Sequence, residues 1–335
     1  MKPALSVILF TVLSGAGLGA LALTALAEIS SQLRGAPAAW PAATTAAMAI
    51  ALVLVIAGLS ASTLHLANPR NAWRSLARWR SSWLSREAVA ALLLIPVAAL
   101  YVALHAFDMD ALTPALAVPV VLLAWALLYC TAMIYASLRP VRQWHTARVP
   151  LAFLLIGHAS GALLIVSAMA TGRAMGGAWI VIAVALFVAA LVAKLEYWRF
   201  VVGRGITLES AIGVPHGVAP PRRAGVPPTQ TVAARMLDVG HSKGTFLTNE
   251  FVATHAASMH RTMRAVALVA GFGIPLLWLA TAFGIPLPGL GGGGADWRIG
   301  AVAWLACMVG FTAERWLFFA EARHTVRLYH GDRTT

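Results

Sequence analysis

Eight stretches of this chain are too apolar and too long to belong anywhere but in hydrocarbon. They run at roughly 4–28, 43–67, 87–107, 113–138, 150–172, 176–201, 262–284 and 298–321, and each reaches the ~20 residues that a helix needs to cross a ~30 Å apolar core. Lipid offers no hydrogen bonds to a backbone, so segments of this kind fold as helices. The expectation is an all-α integral membrane protein, a bundle of eight transmembrane helices forming a single membrane domain over 1–335. One sizeable connection, 202–261, lies outside the membrane. The first run follows Lys2 and has the outline of a signal peptide. It is too long for that, and no cleavage site precedes Glu28, so it reads as a true span.

Composition agrees: 60% of the residues are hydrophobic and only 11% are charged, against about 25% charged in a soluble domain. A formal charge of +13 raises the question of nucleic acid. The arginines, however, sit in short connections between apolar runs, where they report topology instead. With eight spans, 20 of the 25 basic residues fall on one side, together with both termini. The positive-inside rule makes that side the cytoplasm.

The stretch from Ala57 to Glu87 stands out. It is the end of an apolar helix bearing His65, a break at Asn68-Pro69, and then Arg70, Trp73, Arg74, Arg78, Trp79, Arg80, Trp83 and Arg86. A titratable side chain sits where lipid gives way to water, beside a belt of tryptophans and a cationic surface. Arg70, Arg74, Arg78 and Arg80 suit either headgroup contact or the docking of an acidic partner. His65 is either a packed interfacial histidine or a proton-handling one.

Other residues invite the same weighing. His158, flanked by Gly157 and Gly161, sits where another helix or a flat ligand can approach closely. Lys194 and Glu196 project from different faces of the sixth span. Lys194 is expected to snorkel to the interface, while Glu196 is a candidate proton carrier. Of Glu314 and Arg315 in the eighth span, the arginine is expected to pair structurally with an acid on another helix, and Gly15 and Gly19 read as a helix-packing motif. Cys130 and Cys307 are far apart in apolar runs, so the chain holds no iron–sulfur cluster by itself. The flanks of His65 and His158 give no argument for haem. No Ser-His-Asp pattern or phosphate-binding loop appears. The halves 1–4 and 5–8 show no convincing repeat in sequence, which weighs against a transporter.

The block LHLANPRNAWRSLARWRSSWLSRE resembles the membrane anchor subunit of the dimethyl sulfoxide reductase family. The opening KPALSVILFTVLSGAGLGALAL, the GTFLTNEF before the seventh span and the ERWLFFAEARH of the eighth are similar to the same family. The resemblance implies an eight-helix protein without haem. Such a protein anchors a molybdopterin catalytic subunit and a four-cluster iron–sulfur subunit and exchanges electrons with a quinone, menaquinone or ubiquinone. It also implies that His65 lies beside the quinone; His158 and Glu196, from their own positions, stand as further candidates for quinone binding or proton transfer. A cytoplasm-facing partner resembles the arrangement of quinone-linked sulfite dehydrogenase. That favours sulfite oxidation over the alternative, an anchor for a sulfoxide, thiosulfate or polysulfide reductase. A multi-span transporter and a passive assembly anchor are the readings of other classes.

Overall fold

The computed structural model describes residues 3–35, 40–63, 69–109, 111–172, 176–203, 205, 257–285, 296–325 and 328. Eight of its helices are long and apolar enough to span a membrane: α1 (Leu5–Leu33), α2 (Ala42–Thr63), α3 (Trp83–Ala106), α4 (Pro114–Ala136), α5 (Arg148–Met169), α6 (Gly177–Val202), α7 (Ser258–Ala282) and α8 (Trp297–Ala320). There is no strand among the described residues. His65 and most of the 202–261 connection lie outside them.

Local chemistry sets several helix ends. The Ser82 hydroxyl accepts from the Ser85 N–H to start α3, and the Asp296 carboxylate accepts from the Arg298 N–H at 2.9 Å to start α8; both cap N–H groups that the first turn cannot pair. Pro114 occupies the first turn of α4, where its missing N–H costs nothing. Within α7 the ladder widens into a π-turn at Val269–Gly273, directly before Ile274-Pro275. A proline inside a helix removes one hydrogen bond and displaces a carbonyl, and a wide turn of this kind absorbs the irregularity.

Two long helices form the axis of the bundle. Over the most apolar window of α1 and of α5, 78% of the residues are buried, against 33% for α2, α6 and α7. α1 and α5 cross through their glycines. A methyl added at Gly161 would meet the backbone of Ala20 at 2.2 Å, and one at Gly19 would meet the Gly157 carbonyl oxygen at 2.1 Å. The Gly15/Gly19 motif is thus a helix-packing surface, as expected, and its partner is the Gly157/Gly161 pair. A second contact of this closeness joins α7 and α8, where a methyl at Gly310 would lie 2.0 Å from the Gly271 nitrogen.

The packing scheme is repeated. α1 packs on α2 and α4 while α3 packs on α4; in the same way α5 packs on α6 and α8 while α7 packs on α8; and the halves meet along α1 and α5. Sequence echoes emerge once the scheme is known: Ile95-Pro96 of α3 answers Ile274-Pro275 of α7, and the separation of Pro96 from Pro275 equals that of Trp125 from Trp304. Trp40 and Trp179, each near the start of the second helix of its half, meet edge to face at 6.1 Å. The sequence shows no convincing repeat because apolar helices are built from a small alphabet. The repeat lives in which faces are small enough to touch.

Gly161→Ala is expected to push α1 and α5 apart at a cost of roughly 1–3 kcal/mol. Gly273→Ala, whose added methyl has its nearest neighbour at 3.6 Å, is expected to change stability by less than ~1 kcal/mol. Thermal unfolding of the two variants in mild detergent checks the contrast.

Candidate functional site

The basic connection between α2 and α3 is held by its own residues. Pro69–Arg78 forms a 3₁₀ segment, and Arg86, in the first turn of α3, reaches back to tie down the end of the connection. Its Nε donates to the Trp79 carbonyl at 3.0 Å and its Nη2 to the Arg80 carbonyl at 2.7 Å. Arg74 lies over the ring of Trp73, Arg80 over Trp79, and Arg86 over Trp83 at 4.3 Å. Arg74, Arg78 and Arg80 are exposed, as are Trp73 and Trp79. Arg70 is the second residue of the 3₁₀ segment. The arginine side chains expected to face a partner, Arg74, Arg78 and Arg80, therefore do face outward. Arg86 orders the platform on which they stand.

Directly behind that platform is a carboxyl group that sequence reading passed over. Glu87 is buried on the inward face of α3, and its Oε1 accepts from the Thr131 hydroxyl of α4 at 2.5 Å. Thr131 also lies 3.0 Å from the Leu127 carbonyl. The available signal was position: a glutamate in the first turn of a span, one residue past the last arginine of a basic connection, is either a surface group or a buried one with a reason. The 3.6-residue period, run from the buried Leu94 and Ala98, places Glu87 on the buried face.

His158 is nearly buried between α4 and α5. Its Nδ1 is 2.8 Å from the Leu154 carbonyl and its Nε2 is 3.0 Å from Trp125 Nε1. The indole can only donate and the carbonyl only accept, which fixes a neutral ring protonated at Nδ1. Both nitrogens are thus engaged in helix packing, and the glycines beside His158 admit α1. Glu196 is elsewhere. Its carboxylate is 49% exposed and pairs with Arg199 one turn on at 2.6 Å, at the rim of an apolar groove of about 1000 Å³ between α5, α6 and α7 that Arg148 also lines. His158 and Glu196 are thus not brought together.

Lys194 departs from expectation. It does not snorkel: it is 1% exposed, and its ammonium pairs with Glu314 of α8, which is fully buried. Arg315, 3% exposed, donates from Nε to the same carboxylate. The expected bridge from Arg315 to another helix is therefore made by Lys194 instead, and Arg315 closes the cluster from within α8. The reason is geometric. α6 and α8 face each other across the bundle near their carboxy-terminal ends, so a carboxylate was closer to Lys194 than water was. Arg315 also lies 4.1 Å over the ring of Phe153. Trp144, Tyr135, Phe318 and Phe319 pack against one another beside it, sealing the cluster from the arginine-rich side.

A second polar centre sits near the opposite end. Glu28 of α1 accepts from the Tyr101 hydroxyl at 2.6 Å and from the Thr113 hydroxyl, and lies 3.2 Å from His105 Nε2. Three helix ends, α1, α3 and α4, are gathered on one buried carboxylate. Sequence reading used Glu28 only as the end of a span.

The model of the family described as DMSO reductase anchor subunit (DmsC) matches residues 1–319. The C subunit of the sulfite dehydrogenase of Allochromatium vinosum is 33% identical over 349 residues, covering 98% of this chain and 99% of that protein. No solved structure is significantly similar.

Removing the Glu28 carboxylate takes away the buried acceptor on which Tyr101, Thr113 and His105 converge. Glu28→Ala is expected to cost about 3–5 kcal/mol, and Tyr101→Phe about 0.5–1.5 kcal/mol, because it removes one donor from Glu28 Oε2 while His105 remains beside the same oxygen. Chemical denaturation in detergent, with tryptophan emission as the readout, separates the two.

Proposed function

Because the chain belongs to the DMSO reductase anchor subunit family, we propose that it passes electrons between an iron–sulfur partner and the membrane quinone pool. The quinone ring lies at the corner formed by the end of α2, the basic segment and the start of α3. The observation that carries this reading is the juxtaposition at that corner. An outward arginine–tryptophan platform, set by Arg86, stands directly over a buried carboxyl, Glu87. A quinone that gains or loses two electrons also gains or loses two protons, and needs groups that take them on the protein side. His65, on the stretch that joins α2 to the platform, is the first such group, and Glu87 is the second. An imidazole titrates near neutrality, and a general base must sit within hydrogen-bond reach of the oxygen it serves. Electrons enter or leave across the platform, where Arg70, Arg74, Arg78 and Arg80 attract an acidic partner surface.

The partners are a molybdopterin catalytic subunit and a four-cluster iron–sulfur subunit, bound on the arginine-rich side. The excess of arginine supports a cytoplasmic position for that side, and the family supports a bacterial inner membrane. The relative from Allochromatium vinosum, a subunit of a sulfite dehydrogenase, supports sulfite as the electron donor. The same corner serves a reductase when electrons run the other way. His158 and Glu196 are secondary candidates, and the same assay weighs them.

Purification of the protein from its native membranes in mild detergent is expected to bring down a large molybdenum-containing chain and a cysteine-rich iron–sulfur chain. Reversing the charge of Arg74, Arg78 and Arg80 together is expected to release both. His65→Ala is expected to lower quinone-linked turnover at least tenfold while the complex keeps its rate with a soluble electron acceptor. Turnover equal to the parent's in a complete complex returns the chain to a passive anchor.

A further inference from the structure

Where α1, α4, α5 and α8 converge, the bundle leaves a cavity of about 10 Å³, about the space one water molecule occupies. Its walls carry four hydroxyls and one guanidinium: Thr11, Ser14, Thr131, Ser160 and Arg315. Arg315 Nη1 is buried and has no hydrogen-bond partner among the described residues. Its Nε is taken by Glu314, and the Phe153 ring below it offers only a π face. Leaving a buried charged donor unpaired costs about 1–3 kcal/mol or more, so the structure needs an acceptor in this cavity.

The hydroxyls have already committed their protons. Thr11 donates to the Ile8 carbonyl, Ser14 to Phe10, Ser160 to Ile156, and Thr131 to Glu87. Each therefore presents only lone pairs to the cavity. A donor that cannot find an acceptor thus faces several acceptors that cannot find a donor. A water molecule converts one into the other: it accepts from Arg315 Nη1 and donates both of its protons to hydroxyl oxygens.

We infer that this cavity is a binding site for one water molecule, and that through it Arg315 is a positioning residue for the Thr131–Glu87 pair. When the water donates to Thr131, the threonine proton is committed to the Glu87 carboxylate and the guanidinium charge is felt along the line. Arg315 touches no quinone; it acts through the water and Thr131. This second half of the inference rests on the role given to Glu87 above, while the water site stands without it.

A structure of the purified complex at a resolution that shows ordered water is expected to hold a density peak about 3 Å from Arg315 Nη1 and from at least two of the four hydroxyls. An empty cavity, or a guanidinium turned to another partner, overturns the water site. For the coupling, Thr131→Val keeps the shape of the side chain and removes the link. In an intact complex it is expected to reduce quinone-linked turnover about tenfold, at unchanged rate with a soluble acceptor, and to shift the infrared carboxyl band that disappears in Glu87→Gln. Thr24→Val, at a buried hydroxyl far from the cavity, is expected to do neither. A Thr131→Val complex with parental turnover and an unmoved band overturns the coupling. If His65→Ala and Glu87→Gln are themselves without effect on turnover, the quinone reading fails instead, and the water density still decides the site.

Discussion

Everything in this bundle hangs on how closely α1 and α5 approach. Between helices in a membrane there is no hydrophobic gain, because lipid tails are as apolar as leucine. Association has to come from dispersion over many close contacts and from polar links. Gly15, Gly19, Gly157 and Gly161 remove the side chains from the crossing, so backbone lies on backbone. That closeness brings α4 and α8 within reach of both central helices. It also sets the width of the space in which Ser14, Thr131, Ser160 and Arg315 face one another. With larger residues at the crossing, the cavity at the centre would be a channel or would be closed.

The polar groups then sort by depth. Toward the arginine-rich side lie Glu87 with Thr131, and Lys194 with Glu314 and Arg315; toward the other lies Glu28 with Tyr101, His105 and Thr113. The middle holds His158 and hydroxyls bonded to their own helices. Both clusters tie a charged group to a neighbouring helix, which is the condition for tolerating it at depth. Glu28 has three donors and one role, to gather helix ends. The other cluster is different: two cations share one carboxylate and leave a guanidinium nitrogen over. A purely mechanical pin has no need of the extra cation, and the excess charge is what gives this region a chemical character.

Much of the architecture was legible in the chain because the membrane imposes it. Eight runs of apolar residues can only be helices, and the observed α4, for example, starts and stops within two residues of the run read from sequence. The exposed arginines around the tryptophans were equally readable, since a basic connection between spans has only the interface in which to lie. The hidden features depended on partners. Glu87 and Glu28 look like ordinary ends of spans until Thr131 and Tyr101 are brought to them from other helices. Lys194 has an easy local answer, snorkelling, that Glu314 overrides from more than a hundred residues away. The family block gave His65 its weight, and its neighbours alone left the matter open. The repeat was concealed for a related reason: it keeps which faces are small and which loops carry the turns, while the outward-facing residues are free to differ.

The two halves use one scheme for unlike ends. In the first half, the connection between the second and third helices becomes a short ordered platform, and the third helix opens with Glu87. In the second half, the corresponding third helix, α7, carries Arg264 near the end of its second turn, and it pairs with Glu321 after the end of α8 at 2.6 Å. A carboxyl turned inward in one half thus answers a cation turned toward the surface in the other. The consequence is electrostatic. The first half holds Glu87 inside on this side and puts its cations out. The second half puts cations inside, as Lys194 and Arg315, around the Glu314 carboxylate. Glu87 and Arg315, on α3 and α8, reach the same central cavity through Thr131 and through Nη1. An acidic group of the first half and a cation of the second thus come to one cavity, the one through Thr131 and the other as part of its wall, so the seam between the repeats is also where charge in one half can act on the other.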